Sequence, residues 1–237
     1  MASPKQKDNY WIPLSDLMTV LMVIFLFISI SYMMDVRNKQ AEKDKLFKDF
    51  EITKVELLKE LQTEFKDDFR KDKWDAVIDT ADLSIKFVNE RVLFDYNKSD
   101  LKPEFQLVLN SFFPRYLAIV LKPKYSEKIA EVRIEGHTDI KGDYIYNVEL
   151  SQNRTRNVMK FLFNHPFFSK LKPAEKERLK FWLTANGLSS GRTLDKNGNL
   201  TSASHNPPDN DKCRRVEFKI VTTSEQLVKE ALKQISR

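Results

Sequence analysis

Cysteine, histidine and glycine are scarce in this chain of 237 residues. The single cysteine, Cys213, excludes an intrachain disulfide, and three dispersed histidines lack the spacing of metal ligands. Five glycines leave little material for phosphate-binding loops, and no P-loop, dinucleotide fingerprint or nucleophile elbow is present. We therefore expect no enzyme, no catalytic residue, no metal and no organic cofactor. The histidines are His137, His165 and His205.

The chain also lacks a segregated block of one charge. Its formal net charge is +6 and its pI is about 9.2, yet lysine and arginine alternate with aspartate and glutamate throughout the polar part. Nucleic-acid binding usually shows as basic residues clustered on one patch. The mixture instead predicts a solvated surface and no nucleic-acid partner. The length allows one ordinary domain with attached segments.

One long apolar run, WIPLSDLMTVLMVIFLFISISYMM, occupies residues 11–34. A transmembrane helix needs about 20 such residues, and Trp11 and Tyr32 stand where interfacial aromatics are expected. A cleaved signal peptide has a shorter apolar core of about 7–15 residues, followed by small residues. Here Tyr32 is followed by two methionines and Asp35. The run predicts a single membrane span.

Asp16 lies inside this span. A charge at the bilayer centre costs about 2.5–3.5 kcal/mol on insertion scales, so such carboxyls usually face protein and carry ions or protons. A carboxylate in the headgroup layer, with the span starting at Leu17, is the simpler alternative, but it would leave Trp11 in water. Thr19 and Val23 share the face of Asp16 at helical spacing. This face predicts contact with partner helices.

Residues 35–74 alternate opposite charges and contain no proline or glycine up to residue 73, which predicts a long helical connector. Apolar positions recur at eleven-residue spacing, which favours a straight or slightly right-handed helix pair through Leu46, Leu57 and Leu61. A single solvated helix or a flexible tether is the alternative.

From residue 75 to 237 the pattern predicts an α/β sandwich with helices on one face of a mixed sheet, and hence an α+β fold class for the chain. Strands are expected in LSIKFV, RVLFDY, EVRIEGHTD, FWLTA and RRVEFKIV, and a polar loop at 186–211. Helices are expected near 103–121, from Tyr144 to Phe163, and near 173–180.

The stretch EGHTDIKGDYIYNVELSQNRTRNVMKFL, residues 135–162, carries the most specific motif. Its G-H-T-D followed by N-x-x-L-S-x-x-R resembles the peptidoglycan-binding signature of OmpA-like domains. The segments VLFDYNKSDLKPE (92–104) and RRVEF (214–218) are similar to the same family. Departures are Thr155 after the arginine, Cys213 where asparagine is common, and the enlarged loop at 186–211. The matching positions after the GHTD block are Asn147, Leu150, Ser151, Arg154 and Val158.

The chemistry of this motif rests on Asp139 and Arg154. A βα connection can bring an acceptor and a five-donor guanidinium to one rim, which suits a zwitterionic ligand, although a structural salt bridge is the alternative. The resemblance implies diaminopimelate of the cell-wall stem peptide as ligand, its carboxylate at Arg154 and its ammonium at Asp139. It also places Thr138, Asn147 and Leu150 in the site. His137 is expected to pack or orient the loop.

The segment W-x-P-L-S-D-L-M-T-V-L-M-V-x-F-L, beginning at Trp11, resembles the aspartate segment of B subunits of MotB-type proton-driven stators. The resemblance implies that Asp16 carries protons as the coupling ion, and that the chain is a homodimer inside a ring, pentameric by resemblance, of multi-span A subunits. It also implies a bacterial inner-membrane protein, with a cytoplasmic leader at residues 1–10 and a periplasmic domain that binds peptidoglycan. Basic residues after the span would alone favour the opposite topology.

Within such stators, the S-D-L-M-T sequence, the short basic leader and the uninterrupted connector are most similar to B subunits of Zorya anti-phage systems. A flagellar MotB-type subunit is the alternative within the family. A passive anchor between membrane and cell wall is the alternative from another class, and Asp16 distinguishes it, because an anchor has no use for an intramembrane carboxyl.

Overall fold

The computed structural model describes residues 11–70, 73–88, 93–225 and 227. They fall into two units, Met1–Lys48 and Asp49–Arg237. The expected cytoplasmic leader at residues 1–10 lies outside the described residues. The α+β class predicted from the sequence is confirmed, with an apolar N-terminal helix and a mixed sheet in the second unit.

The first helix, α1, spans Trp11–Phe65 and contains the apolar run. It is long and apolar enough to cross a membrane. Its large apolar side chains in this run are exposed, for example Leu17 at 65% and Phe27 at 68%. Asp16 lies on this stretch, and one turn later the Thr19 hydroxyl donates to the Ser15 carbonyl at 2.9 Å, which satisfies a polar group without a partner helix.

The second unit contains a five-stranded sheet in the order β1-β2-β5-β3-β4. Neighbouring strands are antiparallel except β3 and β4, which are parallel. The strands are β1 (Ala76–Asp79), β2 (Ser84–Phe87), β3 (Ile129–His137), β4 (Leu183–Gly187) and β5 (Arg215–Thr222). The remaining helices are α2 (Pro103–Val120), α3 (Tyr144–Asn164), α4 (Pro166–Lys170), α5 (Pro173–Trp182), α6 (Thr201–Ser204) and α7 (Asn210–Cys213), with a 3-10 turn at Pro123–Tyr125.

Most predicted elements agree with these bounds, and three differ. The strand expected in FWLTA begins only at Leu183, because Phe181 and Trp182 complete α5. In the segment RVLFDY, Phe94 forms only an isolated bridge with Leu101, and residues 91 and 92 lie outside the described part. The loop expected at 186–211 contains α6 and the start of α7.

The core lies on one face of the sheet. Alternate residues of β5, namely Val216, Phe218 and Ile220, are buried there, as the two-residue period of a strand requires. Aromatic rings of α2 cover them, and Phe112 stands 5.1 Å from the Phe218 ring. Helices α3 and α5 pack on β3, so the helices cover this face as expected.

The end of α1 belongs to this core, which corrects the predicted connector. Leu57, Leu61 and Phe65 are at most 1% exposed. The Phe65 ring lies 5.3 Å from that of Phe112 on α2. Leu57 and Leu61 are therefore unavailable to pair with a second chain, so the predicted helix pair is wrong for these two of its three leucines. Leu46, the third, is half-buried and belongs to the unit Met1–Lys48. The compact unit begins at Asp49, before the predicted boundary at residue 75.

The opposite face of the sheet buries charge instead of apolar side chains. Glu135 on β3 stands directly opposite Glu217 on β5, and both residues are 3% exposed. Like charges in such a pair repel each other unless they are compensated. Arg215 donates to Glu217, and Arg192 donates to Glu135 at 3.1 Å. Burial raises the pKa of Glu135, but neighbouring groups, the positively charged Arg192 among them, outweigh it and hold that pKa below its usual range.

His137 lies between these carboxylates and is 2% exposed. Its Nε2 is 3.5 Å from Glu217 Oε1 and 3.7 Å from Glu135 Oε2, longer than hydrogen bonds. Burial lowers the pKa of His137, because the charged form loses its hydration. The folded chain therefore holds this imidazole neutral at neutral pH.

Because the end of α1 is buried on one face, shortening a buried and an exposed side chain of this helix should change the free energy of unfolding by different amounts. Leu61→Ala should lower the free energy of unfolding by about 2–5 kcal/mol, because it opens a cavity in the core. Val55→Ala is the matched control, since Val55 is 58% exposed, and should change it by less than about 0.5 kcal/mol. Denaturant titration of the full chain in detergent, followed by tryptophan fluorescence, measures both. Equal small losses would contradict the assignment of this segment to the core.

Buried neutral His137 predicts acid sensitivity above the range in which carboxylates protonate. The unfolded chain takes up this proton near pH 6.5, whereas the folded chain resists it, so stability is complete above that pH and falls below it. The denaturation midpoint should drop between pH 7.5 and 5.5, and His137→Gln should flatten the drop. The half-buried His165, whose pKa burial also lowers, provides the comparison His165→Asn, which should flatten it less. An unchanged pH profile in His137→Gln would refute this.

Candidate functional site

A small pocket lies beside the turn that follows β3. All five residues predicted to bind peptidoglycan line it, so the structure brings together Asp139, Arg154, Asn147, Thr138 and Leu150. These residues come from the turn and from α3, as the βα connection predicted. The other lining residues are Tyr96, Asn97, Lys141 and Arg214.

The turn between β3 and α3 is held by its own side chains. Gly142 has φ +89°, a left-handed conformation that favours glycine. Asp143 caps α3, because its Oδ1 accepts from the backbone N–H groups of Ile145 and Tyr146 at 2.9 and 3.0 Å. Asn147 donates from Nδ2 to the Lys141 carbonyl at 2.8 Å. Asn147 therefore helps to fix the conformation of this turn.

Asp139 is the buried carboxylate of the pocket. Its Oδ1 accepts from the Lys141 backbone N–H at 3.0 Å, and its Oδ2 accepts from Arg214 Nη1 at 2.7 Å. The aspartate and arginine side chains are 12% and 22% exposed, so the pair is largely removed from water. A carboxylate has about four acceptor positions, so Asp139 can still accept from a ligand ammonium.

Arg154 extends from α3 toward the loop that precedes α2. Its Nε donates to the Lys98 carbonyl at 3.0 Å, and its guanidinium lies 4.8 Å from the centre of the Phe94 ring. One helical turn away, Asn157 donates to the Ser99 carbonyl at 2.8 Å. Arg154 therefore combines a charged group at the pocket with a contact that holds the loop carrying Tyr96 and Asn97.

The close approach of α3 to the sheet sets the position of these side chains. A Cβ on Gly136 would come within 2.8 Å of the Ser151 carbonyl oxygen, and one on Gly187 within 2.3 Å of the Gln152 nitrogen. The Gln152 amide accepts from the Gly187 N–H at 2.7 Å and donates to the Ala185 carbonyl at 3.1 Å. Glycine at both positions thus allows α3 to lie directly against β3 and β4.

Thr138 and Leu150 complete the predicted set. The backbone N–H of Thr138 donates to the Ser189 carbonyl at 3.0 Å, and its hydroxyl donates to the Asp139 carbonyl at 3.1 Å. The backbone N–H of Ser189 in turn donates to Ser151 Oγ at 3.1 Å. Leu150 is half-buried on α3 and supplies an apolar wall. The loop after β4 therefore supports the turn after β3.

Four lining residues were not assigned to the site from the sequence. Tyr96 and Asn97 lie in the segment 92–104 and Arg214 in the segment 214–218, both of which were recognised as family-like. Those segments were the available signal, but nothing in their spacing shows that Arg214 contacts Asp139. Lys141 lies between two predicted residues and carried no signal of its own.

Three possible metal-binding side chains also meet on the charged face of the sheet. One ligand atom each from Glu135, His137 and Glu217 lies within 4.8 Å of the others. Both carboxylates already accept hydrogen bonds from arginines, which balances their two negative charges. Spacing in the sequence could not reveal the cluster, because the residues come from two strands that pair across the sheet.

The second proposed functional residue, Asp16, belongs to the unit Met1–Lys48, and the pocket belongs to Asp49–Arg237. The pocket offers an acceptor, several cationic donors and an apolar wall, which can bind a zwitterionic or anionic group. No cysteine or serine is among the described residues that line it.

Comparison with known proteins assigns the chain to a family. The model of the OmpA family matches residues 93–206. A MotB-like protein from Desulfovibrio vulgaris has a similar structure, with 22% identity and a TM-score of 0.46, covering 72% of this chain and 94% of that one. A ZorB protein from Escherichia coli O139:H28 is 30% identical over 66% of this chain and 62% of its own length.

A second Zorya protein ZorB, from the Crooks strain of Escherichia coli, covers nearly the whole chain. The two sequences are 36% identical over 97% of this chain and 95% of the relative. This match includes the apolar helix as well as the C-terminal unit, whereas the OmpA match covers only part of the latter. On this evidence the chain belongs to the ZorB family of Zorya proteins.

Proposed function

We propose that the chain is the membrane stator subunit of a proton-driven motor that acts in anti-phage defence while anchored to peptidoglycan. One observation carries the proposal: a chain with Asp16 on an apolar helix also gathers five predicted wall-binding residues in one pocket. A passive anchor needs the pocket but has no use for the intramembrane carboxyl.

Wall binding follows from the charges of the pocket. A ligand carboxylate meets the guanidinium of Arg154, whose direction is set by Lys98 and the Phe94 ring. A ligand ammonium meets Asp139, which retains acceptor capacity beside Arg214. Diaminopimelate of the stem peptide carries both groups on one carbon, so a single residue of the cell wall satisfies both ends of the pocket.

Proton transfer follows from the position of Asp16. A carboxylate deep in a bilayer costs about 2.5–3.5 kcal/mol, and protonation removes that charge. A ring of multi-span A subunits around the helix supplies the polar surroundings that stabilise the charged form. Alternate loading and release of the proton then drives stepwise motion of the ring, while the wall-bound unit resists rotation.

The remaining assignments follow from this mechanism. Peptidoglycan lies outside the inner membrane, so the C-terminal unit is periplasmic and the N-terminus is cytoplasmic. Two copies of the chain within one ring supply two proton sites. The two ZorB relatives support a Zorya system over a flagellar motor, since their similarity includes the apolar helix in one case.

Charge removal in the pocket tests wall binding. Asp139→Ala and Arg154→Ala should each reduce retention of the full chain on isolated peptidoglycan by at least about tenfold, because a charged partner is lost from a partly enclosed site. Co-sedimentation of the detergent-purified chain with peptidoglycan sacculi measures retention.

Asn157→Ala is the control for the loop, because Asn157 also bonds the loop at Ser99 but does not line the pocket. Its retention should stay within about twofold of the wild type. If Asn157→Ala and Arg154→Ala lose binding equally, Arg154 acts by holding the loop. Unchanged retention in both Asp139→Ala and Arg154→Ala would remove the wall-binding assignment.

Neutralising Asp16 tests the motor. Asp16→Asn keeps the size and polarity but removes the titratable proton site, so phage protection should be lost while the chain stays in the membrane. Asp16→Glu, one methylene longer, should retain little protection in a packed site. Plaque counts on cells carrying the complete gene set, with immunoblots of membranes, measure both quantities.

Asp35→Asn makes the same chemical change just beyond the apolar run, where Asp35 only pairs with Lys39 at 2.8 Å on the exposed surface. This control should keep full protection, because exposed pairs contribute little. Full protection by Asp16→Asn would leave the passive anchor as the function.

A further inference from the structure

Two exposed tyrosines stand beside the pocket on different elements. Tyr96, in the loop before α2, is 81% exposed, more than any other large apolar side chain in the described part of the chain. Tyr146, on α3, is 47% exposed and precedes the pocket residue Leu150 by four positions. Residues at this spacing are neighbours on a helix surface, so the apolar wall formed by Leu150 continues along α3 to Tyr146.

The backbone that carries both rings is fixed by hydrogen bonds. The N–H of Lys98 donates to the Asp95 carbonyl at 3.0 Å and closes a turn around Tyr96. Tyr146 lies in the first turn of α3, where its N–H donates to the capping Asp143 at 3.0 Å. A ligand that binds on rings held in this way pays little for ordering the chain.

The two rings contribute little to the packing of the fold. Among the residues that the structure describes, no aromatic ring contact involves Tyr96 or Tyr146, in contrast to the rings of α2 that cover the sheet. A tyrosine offers an apolar face and a hydroxyl group on one rigid side chain. A pyranose ring has the matching surfaces, because its C–H groups form an apolar face and its hydroxyl groups lie around the edge.

The length of the stem peptide places sugars near these rings. Diaminopimelate is the third residue of the stem, and the first residue is joined to a sugar of the glycan strand. Three residues span at most about 11 Å when fully extended. Four residues of α3 rise about 6 Å, which is the axial distance from Leu150 to Tyr146. A stem bound in the pocket therefore holds its sugar within reach of the exposed rings.

We propose that Tyr96 and Tyr146 form a carbohydrate subsite beside the pocket, on which a pyranose ring of the glycan strand stacks. The inference rests on the proposed wall-binding function and adds the glycan to the part of the wall that is recognised. Because the sugar and the stem peptide are joined, binding of the peptide presents the sugar to the tyrosines at high local concentration.

Two soluble ligands separate the sugar from the peptide. One is the free stem tripeptide that ends in diaminopimelate, and the other is the same tripeptide on its disaccharide of N-acetylglucosamine and N-acetylmuramic acid. Isothermal titration of each into the full-length chain in detergent gives the dissociation constants. The disaccharide form should bind about tenfold more tightly, because stacking on each ring contributes about threefold.

Substitution of the tyrosines tests the cause. Tyr146→Ala and Tyr96→Ala should each lower the preference for the disaccharide form from about tenfold to about threefold. Tyr146→Phe and Tyr96→Phe keep the ring, so each should keep a preference within about twofold of the wild type. The preference is a ratio measured within one variant, and a loss of folded protein lowers both signals together without changing it.

Tyr144→Ala is the matched control. Tyr144 is 55% exposed in the same turn of α3, but two positions correspond to about 200° around a helix, and its hydroxyl faces Gly191 in the loop after β4. This variant should keep the tenfold preference. An equal loss of preference in Tyr144→Ala and Tyr146→Ala would show that the start of α3 matters and not the subsite, and would overturn the proposal.

The remaining outcomes separate the subsite from wall binding itself. If the wild type binds both ligands equally, or if both Tyr→Ala variants keep the tenfold preference, the carbohydrate subsite is refuted while wall binding stands. If neither ligand binds, the proposed wall-binding function fails and the subsite fails with it.

Discussion

The contact between α3 and the ends of β3 and β4 is the constraint on which the pocket depends. Gly136 and Gly187 leave no space for a Cβ beside the backbone of α3. This distance fixes which face of α3 meets the turn after β3, and so places Asn147 and Arg154 on the same side as Asp139. A bulkier residue at either glycine would push the helix outward and separate the two charged ends of the pocket.

The sequence predicted the strands and the helix of this site and five of its lining residues, but it did not predict the contact between Arg214 and Asp139. The two-residue period of β3 and β5 and the motif on α3 gave the strands, the helix and five lining residues. Arg214 could not be placed, because it reaches Asp139 across 75 residues of chain and only the pairing of β5 with β3 brings them together. The charged residues of α1 led to a different error. A helix with many charged residues is expected to be exposed to solvent, whereas the end of α1 is buried on one face.

The end of α1 shows why composition alone misjudged the connector. Arg115 on α2 donates to Glu64 at 2.6 Å and to Asp68 at 2.7 Å, and Lys122 donates to Glu60 at 2.8 Å. Exposed ion pairs of this kind contribute little to stability. The buried Leu57 and Leu61 therefore provide most of the stability of this contact, and the charged residues define how the helix lies on the domain. The spacing of Leu57 and Leu61 marked them as packing positions, but it could not show that they pack on the domain of the same chain instead of on a second chain.

The Gln152 amide has a consequence for self-association. Strand β4 is at the edge of the sheet, where unpaired backbone groups are a template for a strand from another molecule. Because the glutamine side chain bonds the Ala185 carbonyl and the Gly187 N–H, it occupies two of the groups that an incoming strand would need. The Gln152 side chain therefore hinders a strand of a second molecule from pairing with this stretch of the edge.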